Sequence, residues 1–196
     1  MQSNAKLARE DLWSLEDYSE ERPAFRAQVI AHKKHRQVAL GPHATLYFED
    51  ALTMKYQIQE MLRVEKIFNR AEIEEELEAY NPLIPDGTNL EATFMIEYQD
   101  VEERRIALGR MAGIEHKVWV QIGDGEKVFA IANEDQERST EDKASAVHFM
   151  RFEFDAEQIA AAKSGAEVHM GIDHAELPYE ITVSAETAAS LAGDFG

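Results

Sequence analysis

The chain has 196 residues, 44% of them hydrophobic, no cysteine and a formal net charge of −18. That length suits one generous domain or two small ones, able to bury roughly 70% of the surface exposed by the unfolded chain. Without cysteine there are no disulfides, no thiolate catalysis and no thiolate-held zinc or iron–sulfur cluster, and the negative field opposes nucleic-acid phosphate.

The N-terminus, MQSNAKLAREDLWSLEDY, lacks a charged start followed by an apolar run, so no secretory leader is expected. No window approaches the roughly 18 apolar residues of a membrane span. A cytoplasmic protein is therefore expected. The first long helix is predicted from Pro23, a good first-turn residue, to about Val38, stopped by Gly41-Pro42. It carries the main basic run, RPAFRAQVIAHKKHR, with Arg22, Arg26, Lys33, Lys34, Arg36, His32 and His35. Such a run reads either as a solvated or internally paired helix face or as a docking patch for an anionic ligand or acidic partner.

HATLYFE alternates as a short strand with Ala44, Leu46 and Phe48 on one side. A second helix follows over about Ala51–Phe68, and AEIEEELEAY is a third, with Ile73, Leu77 and Tyr80 inward. After the NPLIPDG loop, NLEATFMIEYQ alternates as a strand. VEERRIALGRMAG is a short helix closed by Gly113, and KVWVQI-GDG-EKVFAIA is a β-hairpin with glycines free to take positive φ. SAVHFMRFEF is a strand, DAEQIAAAKSG a capped helix, AEVHMGID a strand, and Ala185–Ala192 a last helix. Helices dominate the first half and strands the second. The pattern therefore predicts one α+β domain over 1–196, with a mostly antiparallel sheet packed against helices from the first half. A helical N-terminal subdomain over 1–80 is compatible with it.

Polar residues among apolar ones mark the candidate sites. At about 100° per residue, Met54, Ile58, Met61 and Phe68 form one stripe of the second helix, with Glu65 near its centre. Glu60 and Arg63 lie opposite, three apart and able to pair. His148 falls on the core face of its strand, and His174 follows Asp173 at a strand end. The ordinary reading is a sandwiched helix with paired charges and histidines bonded to carbonyls. The sharper one is a site for a divalent metal held by Glu60, Glu65, His148 and His174. A further alternative is a small-anion site formed by Arg63, Arg138, Lys143 and Arg151. His-Glu-x-x-His, Glu-x-x-His, Walker, Gly-x-Gly-x-x-Gly and Gly-x-Ser-x-Gly motifs are all absent.

Several stretches together resemble a bacterial family of unknown function of about this length. They are LAREDLWSLEDYSEERPAFRAQVIAHKKHRQVALGPHATLYFED, TMKYQIQEMLRVEK, EELEAYNPLIPDGTNLEATFMIEYQD, ERSTEDKASAVHFMRFEFD and GIDHAELPY. Genes of that family often stand beside those for rubrerythrin-like proteins and iron–sulfur oxidoreductases. The resemblance thus implies a soluble bacterial protein linked to redox or peroxide-stress chemistry, with one of those proteins as partner. It carries no catalytic residues. With the missing enzyme motifs, it favours a non-catalytic accessory that docks a partner. Nucleic-acid and membrane partners are not expected.

Overall fold

Ser14 opens the first helix, its hydroxyl accepting from the Asp17 N–H at 3.0 Å, so α1 runs Leu15–Lys33. The structure, a computed structural model, describes residues 5–132 and 144–196. The expected start at Pro23 is corrected: Pro23 lies inside α1. The Ser14 cap and the acidic Glu16 and Asp17 of the first turn override the proline's preference for a helix start. α1 ends at Lys33, short of the expected Val38, because Val38 is taken by a strand, β1 (Gln37–Ala39).

β2 (Ala44–Glu49) points Ala44, Leu46 and Phe48 inward as its alternation requires. Asp50 caps α2 (Ala51–Glu65), accepting from Thr53 N–H at 2.9 Å. α3 is Arg70–Tyr80, capped by Asn69. β3 (Asn89–Ile96) is buried on both faces along almost its whole length, as befits the central strand of a covered sheet. α4 (Val101–Arg110) is followed, after Gly113 at φ +79°, by a 3-10 turn over Ile114–His116. The remaining elements are β4 (Val118–Ile122), β5 (Val128–Phe129), β6 (Ile131–Ala132), β7 (Val147–Glu153), α5 (Ala156–Lys163), β8 (Val168–Ile172), β9 (Glu180–Thr182) and α6 (Ala185–Ala192).

Among the described residues all pairings are antiparallel, in a five-stranded sheet ordered β1-β2-β3-β7-β6 and a four-stranded sheet ordered β5-β4-β8-β9. The expected hairpin forms, with Trp119 opposite Phe129, but its second arm then changes sheets. Two residues after β5, β6 pairs with β7, placing Ile131 opposite Arg151. Val128 to Ala132 is thus an edge of both sheets, turning the corner at buried Ala130, whose N–H donates to the Val118 carbonyl at 2.9 Å. Such sheet-switching strands let two layers share one core.

That core joins Leu46, Phe48, Phe94 and Phe152 of the larger sheet to Val118, Val120, Met170 and Ile172 of the smaller. The first three helices and the segment leading into them hold two smaller clusters: Leu12, Ile58, Leu62, Ile73 and Leu77, and Tyr18, Phe25 and Val29. The fold is α+β with antiparallel sheets. No helix among the described residues is long and apolar enough to cross a membrane.

Candidate docking interface

The basic run of α1 is sorted by its neighbours into buried and exposed cations. Tyr18, Phe25 and Val29 face inward at a helical spacing, so the residues between them meet either α2 or solvent. Arg22 turns to α2 and donates through Nε to Glu60 at 2.6 Å. Glu60 also accepts from the Tyr18 hydroxyl at 2.8 Å and from Arg63 at 2.9 Å. The hydrogen bond from Arg22, opposed by burial and aided by Arg63 and Tyr18, holds the Glu60 carboxyl down at about 2.

Further along, His32 Nε2 lies 2.5 Å from Asp50. Arg36, only 1% exposed, is closed in by acceptors. Its Nη2 donates to Asp194 at 2.5 Å and to the Glu49 carbonyl at 3.1 Å, its Nη1 to Asp194 at 3.2 Å, and its Nε to the Phe48 carbonyl at 3.2 Å. A guanidinium with its donors so placed is fixed as a planar fork. It ties the end of α1 and β2 to the C-terminal tail. Burial pushes the Asp194 carboxyl up to about 6, against the pull of Arg36. Burial also acts on Asp50, but there His32, Arg36 and the Thr53 N–H together outweigh it and hold the carboxyl below its usual range.

Arg26, Lys34 and His35 are left exposed, and Lys33 half-buried with its ammonium 5.8 Å from the Tyr56 ring. Ile30, 45% exposed, sits among them. Arg26, Ile30 and Lys33 recur at spacings of four and three, a single outward stripe. An exposed isoleucine framed by cations on a chain of net charge −18 is a local exception to the molecule's field.

The residues expected to hold a metal are placed apart in role. Among the described residues no group of three or more histidine, aspartate or glutamate side chains is arranged to hold a metal ion, so Glu60, Glu65, His148 and His174 do not form one. Glu60 serves the Tyr18–Arg22–Arg63 cluster. Glu65 is exposed at the last position of α2. The buried face of that helix is Met54, Ile58 and Leu62 rather than the expected stripe through Met61 and Phe68, because the helix ends before Phe68, which is 76% exposed. His148 is fully buried, its Nε2 2.9 Å from the Ser145 carbonyl, the bonded core histidine of the ordinary reading. Half-buried His174 accepts the Glu176 N–H on Nδ1 at 3.2 Å. It lines a recess of about 250 Å³ with Asp173 and Tyr179.

Of the expected anion-binding residues, Arg63 is engaged with Glu60. Arg151 of β7 lies opposite Glu91 of β3 and 2.5 Å from Glu153. Arg138 and Lys143 lie outside the described residues. The sequence reading missed the Asp50–Arg36–Asp194 clasp. Its only local signal was the Asp50 helix cap, since Asp194 is 158 residues from Arg36.

Fold and surface define a small α+β protein whose most distinctive described polar cluster is structural and whose first helix carries an exposed basic stripe. The family "Protein of unknown function (DUF3501)" matches residues 6–195, and the chain belongs to it. The chain is also similar to a crystallised protein of unknown function from Burkholderia pseudomallei K96243. The two share 48% identity and a TM-score of 0.93, over 98% of this chain and 100% of that one. Comparison with curated proteins gives no match.

Proposed function

We propose that this protein is a non-catalytic accessory that docks an iron–sulfur oxidoreductase or a rubrerythrin-like protein of a redox or peroxide-stress system. The observation that carries the reading is the α1 stripe of Arg26, Ile30 and Lys33, with Lys34 just past the helix end, exposed or half-buried on a strongly acidic chain. A small apolar centre within a charged rim is how a transient interface steers and seats a partner of opposite sign. The partner would present an acidic surface. Arg36, part of the basic run, has no place in this contact because it is buried on Asp194.

Pull-down with purified candidate oxidoreductase and rubrerythrin-like protein tests the reading. Enrichment of one of them is expected, and its loss when Arg26→Glu, Lys33→Glu and Lys34→Glu are combined. Enrichment of neither, or enrichment undiminished in the triple variant, contradicts it.

A further inference from the structure

α1 buries one face and leaves a second, patterned face in solvent. Tyr18, Phe25 and Val29 are buried, with Leu52 and Tyr56 of α2 packed against them. Glu20, Pro23, Ala24, Ala27, Ile30, Ala31 and Lys34 are all exposed. At about 100° per residue they fall on the opposite side, at the alternating three-and-four spacing by which one helix meets another. Lys34, the C-cap residue, keeps helical backbone angles of φ −58° and ψ −32° and so continues the line. The middle of this face is apolar and, apart from Ile30 and Pro23, made of alanine. Arg26 and Lys33 run along one edge of it.

The order of residues on this face is symmetric about Ala27. Glu20 stands seven residues before it and Lys34 seven after; Pro23 and Ala24 stand four and three before it, Ile30 and Ala31 three and four after. A second copy of the helix laid antiparallel, Ala27 against Ala27, sets Glu20 against Lys34 at both ends. Ile30 then meets Ala24, and Ala31 meets Pro23. That reciprocity is what an isologous contact requires, residue i meeting j while j meets i. A parallel copy would instead set Glu20 on Glu20 and Lys34 on Lys34. Alanine at the crossing lets the helix axes approach to about 8 Å, and each charge lies about 10 Å from the centre at the helical rise. Among the described residues neither Glu20 nor Lys34 has an ion-pair or hydrogen-bond partner for its side chain within its own chain.

We infer that two copies of this chain pair through α1, antiparallel about Ala27, into a two-fold dimer that covers the docking stripe. One helix face per copy is a small interface, so the dimer is weak and forms as concentration rises. It takes Ile30 and Lys34 from solvent, and so it opens before an acidic partner is seated there. The dimer stands by itself; its closing of the stripe rests on the docking reading above.

Sedimentation velocity of the full chain over a concentration series tests it. The wild-type chain should pass from monomer to dimer and grow no further, because an isologous contact is closed. Glu20→Lys and Lys34→Glu, each alone, set like charges against each other at both ends and should weaken the dimer by about tenfold or more. Combined, the two reversals restore opposite charges and should regain wild-type association. These side chains are exposed, so thermal melting should show every variant folded. A wild-type monomer throughout, growth past the dimer, a single reversal without effect, or a double variant as weak as the single ones would each overturn the inference. Glu20→Lys keeps Arg26, Ile30, Lys33 and Lys34, so its pull-down of the oxidoreductase reads docking apart from the dimer. Its capture should exceed that of the wild-type chain at concentrations where the latter is dimeric; equal capture would overturn the closing of the stripe. Capture by neither chain contradicts the docking reading and leaves the dimer standing.

Discussion

Glu60 and Arg36 show how single charged residues are held, and each sets a prediction. The Glu60 carboxyl sits at about 2 in the folded chain against a reference of 4.5. A depressed acid binds fewer protons folded than unfolded, so its contribution is present above about 4.5 and lost as pH falls towards 2. Urea denaturation of Glu60→Gln should therefore show a loss of about 1 kcal/mol at neutral pH, the pairing being screened by solvent on its Arg22 and Arg63 side, shrinking on acidification; a pH-independent difference would contradict the assignment. Asp194 has the opposite sign. Its folded value of about 6 exceeds the reference of 3.8, so the folded state binds more protons between these values and stability falls as pH rises through that window. Asp194→Asn should flatten that decline. Arg36→Met, which leaves the buried Asp194 carboxylate without its guanidinium, should cost on the order of 3–5 kcal/mol. Little of this was legible in sequence. Glu60 and Arg63 stood out by their spacing, but Arg36 looked like one more surface cation. Its partner lies at the far end of the chain, where no local pattern can announce it.

Among the elements, those governed by local rules were readable. Alternation placed β2 with Ala44, Leu46 and Phe48 inward, and the last helix falls at Ala185–Ala192 as its spacing predicts. Errors arose where a local rule met a stronger one. Pro23 was read as a helix start, yet it sits in the interior of α1, where it supplies no N–H to the turn before it and crowds a carbonyl. Because Pro23 is exposed, Pro23→Ala should stabilise the protein by about 1–3 kcal/mol; a lower melting temperature in calorimetry would mean the proline shapes the helix for its packing on α2. The phase of α2 went astray because Phe68 was counted as helical, which drew Glu65 into an apolar stripe it does not join. The departure of β6 from its hairpin partner into the other sheet left no mark on the residue pattern, since both sheets require the same alternation. The short edge strands β1 and β9, three residues each, are below the length at which periodicity is visible.

For the whole molecule, charge is the organising quantity. With 38 acidic and 20 basic residues, the chain repels most acidic surfaces, so an acidic partner can approach only where cations are gathered. The structure removes Arg22 and Arg36 from that supply by pairing them with Glu60 and Asp194. On the first helix it leaves Arg26, Lys33 and Lys34 around Ile30. A contact driven by rim charges weakens as salt screens them over a Debye length of about 10 Å at 0.1 M. The most direct measurement is titration calorimetry of the purified chain with the iron–sulfur oxidoreductase and the rubrerythrin-like protein at low and raised salt. Binding to one of them is predicted, weakening with salt and by about tenfold or more when Arg26, Lys33 and Lys34 are all changed to glutamate. No binding to either partner, or an affinity indifferent to those three substitutions, would contradict the account.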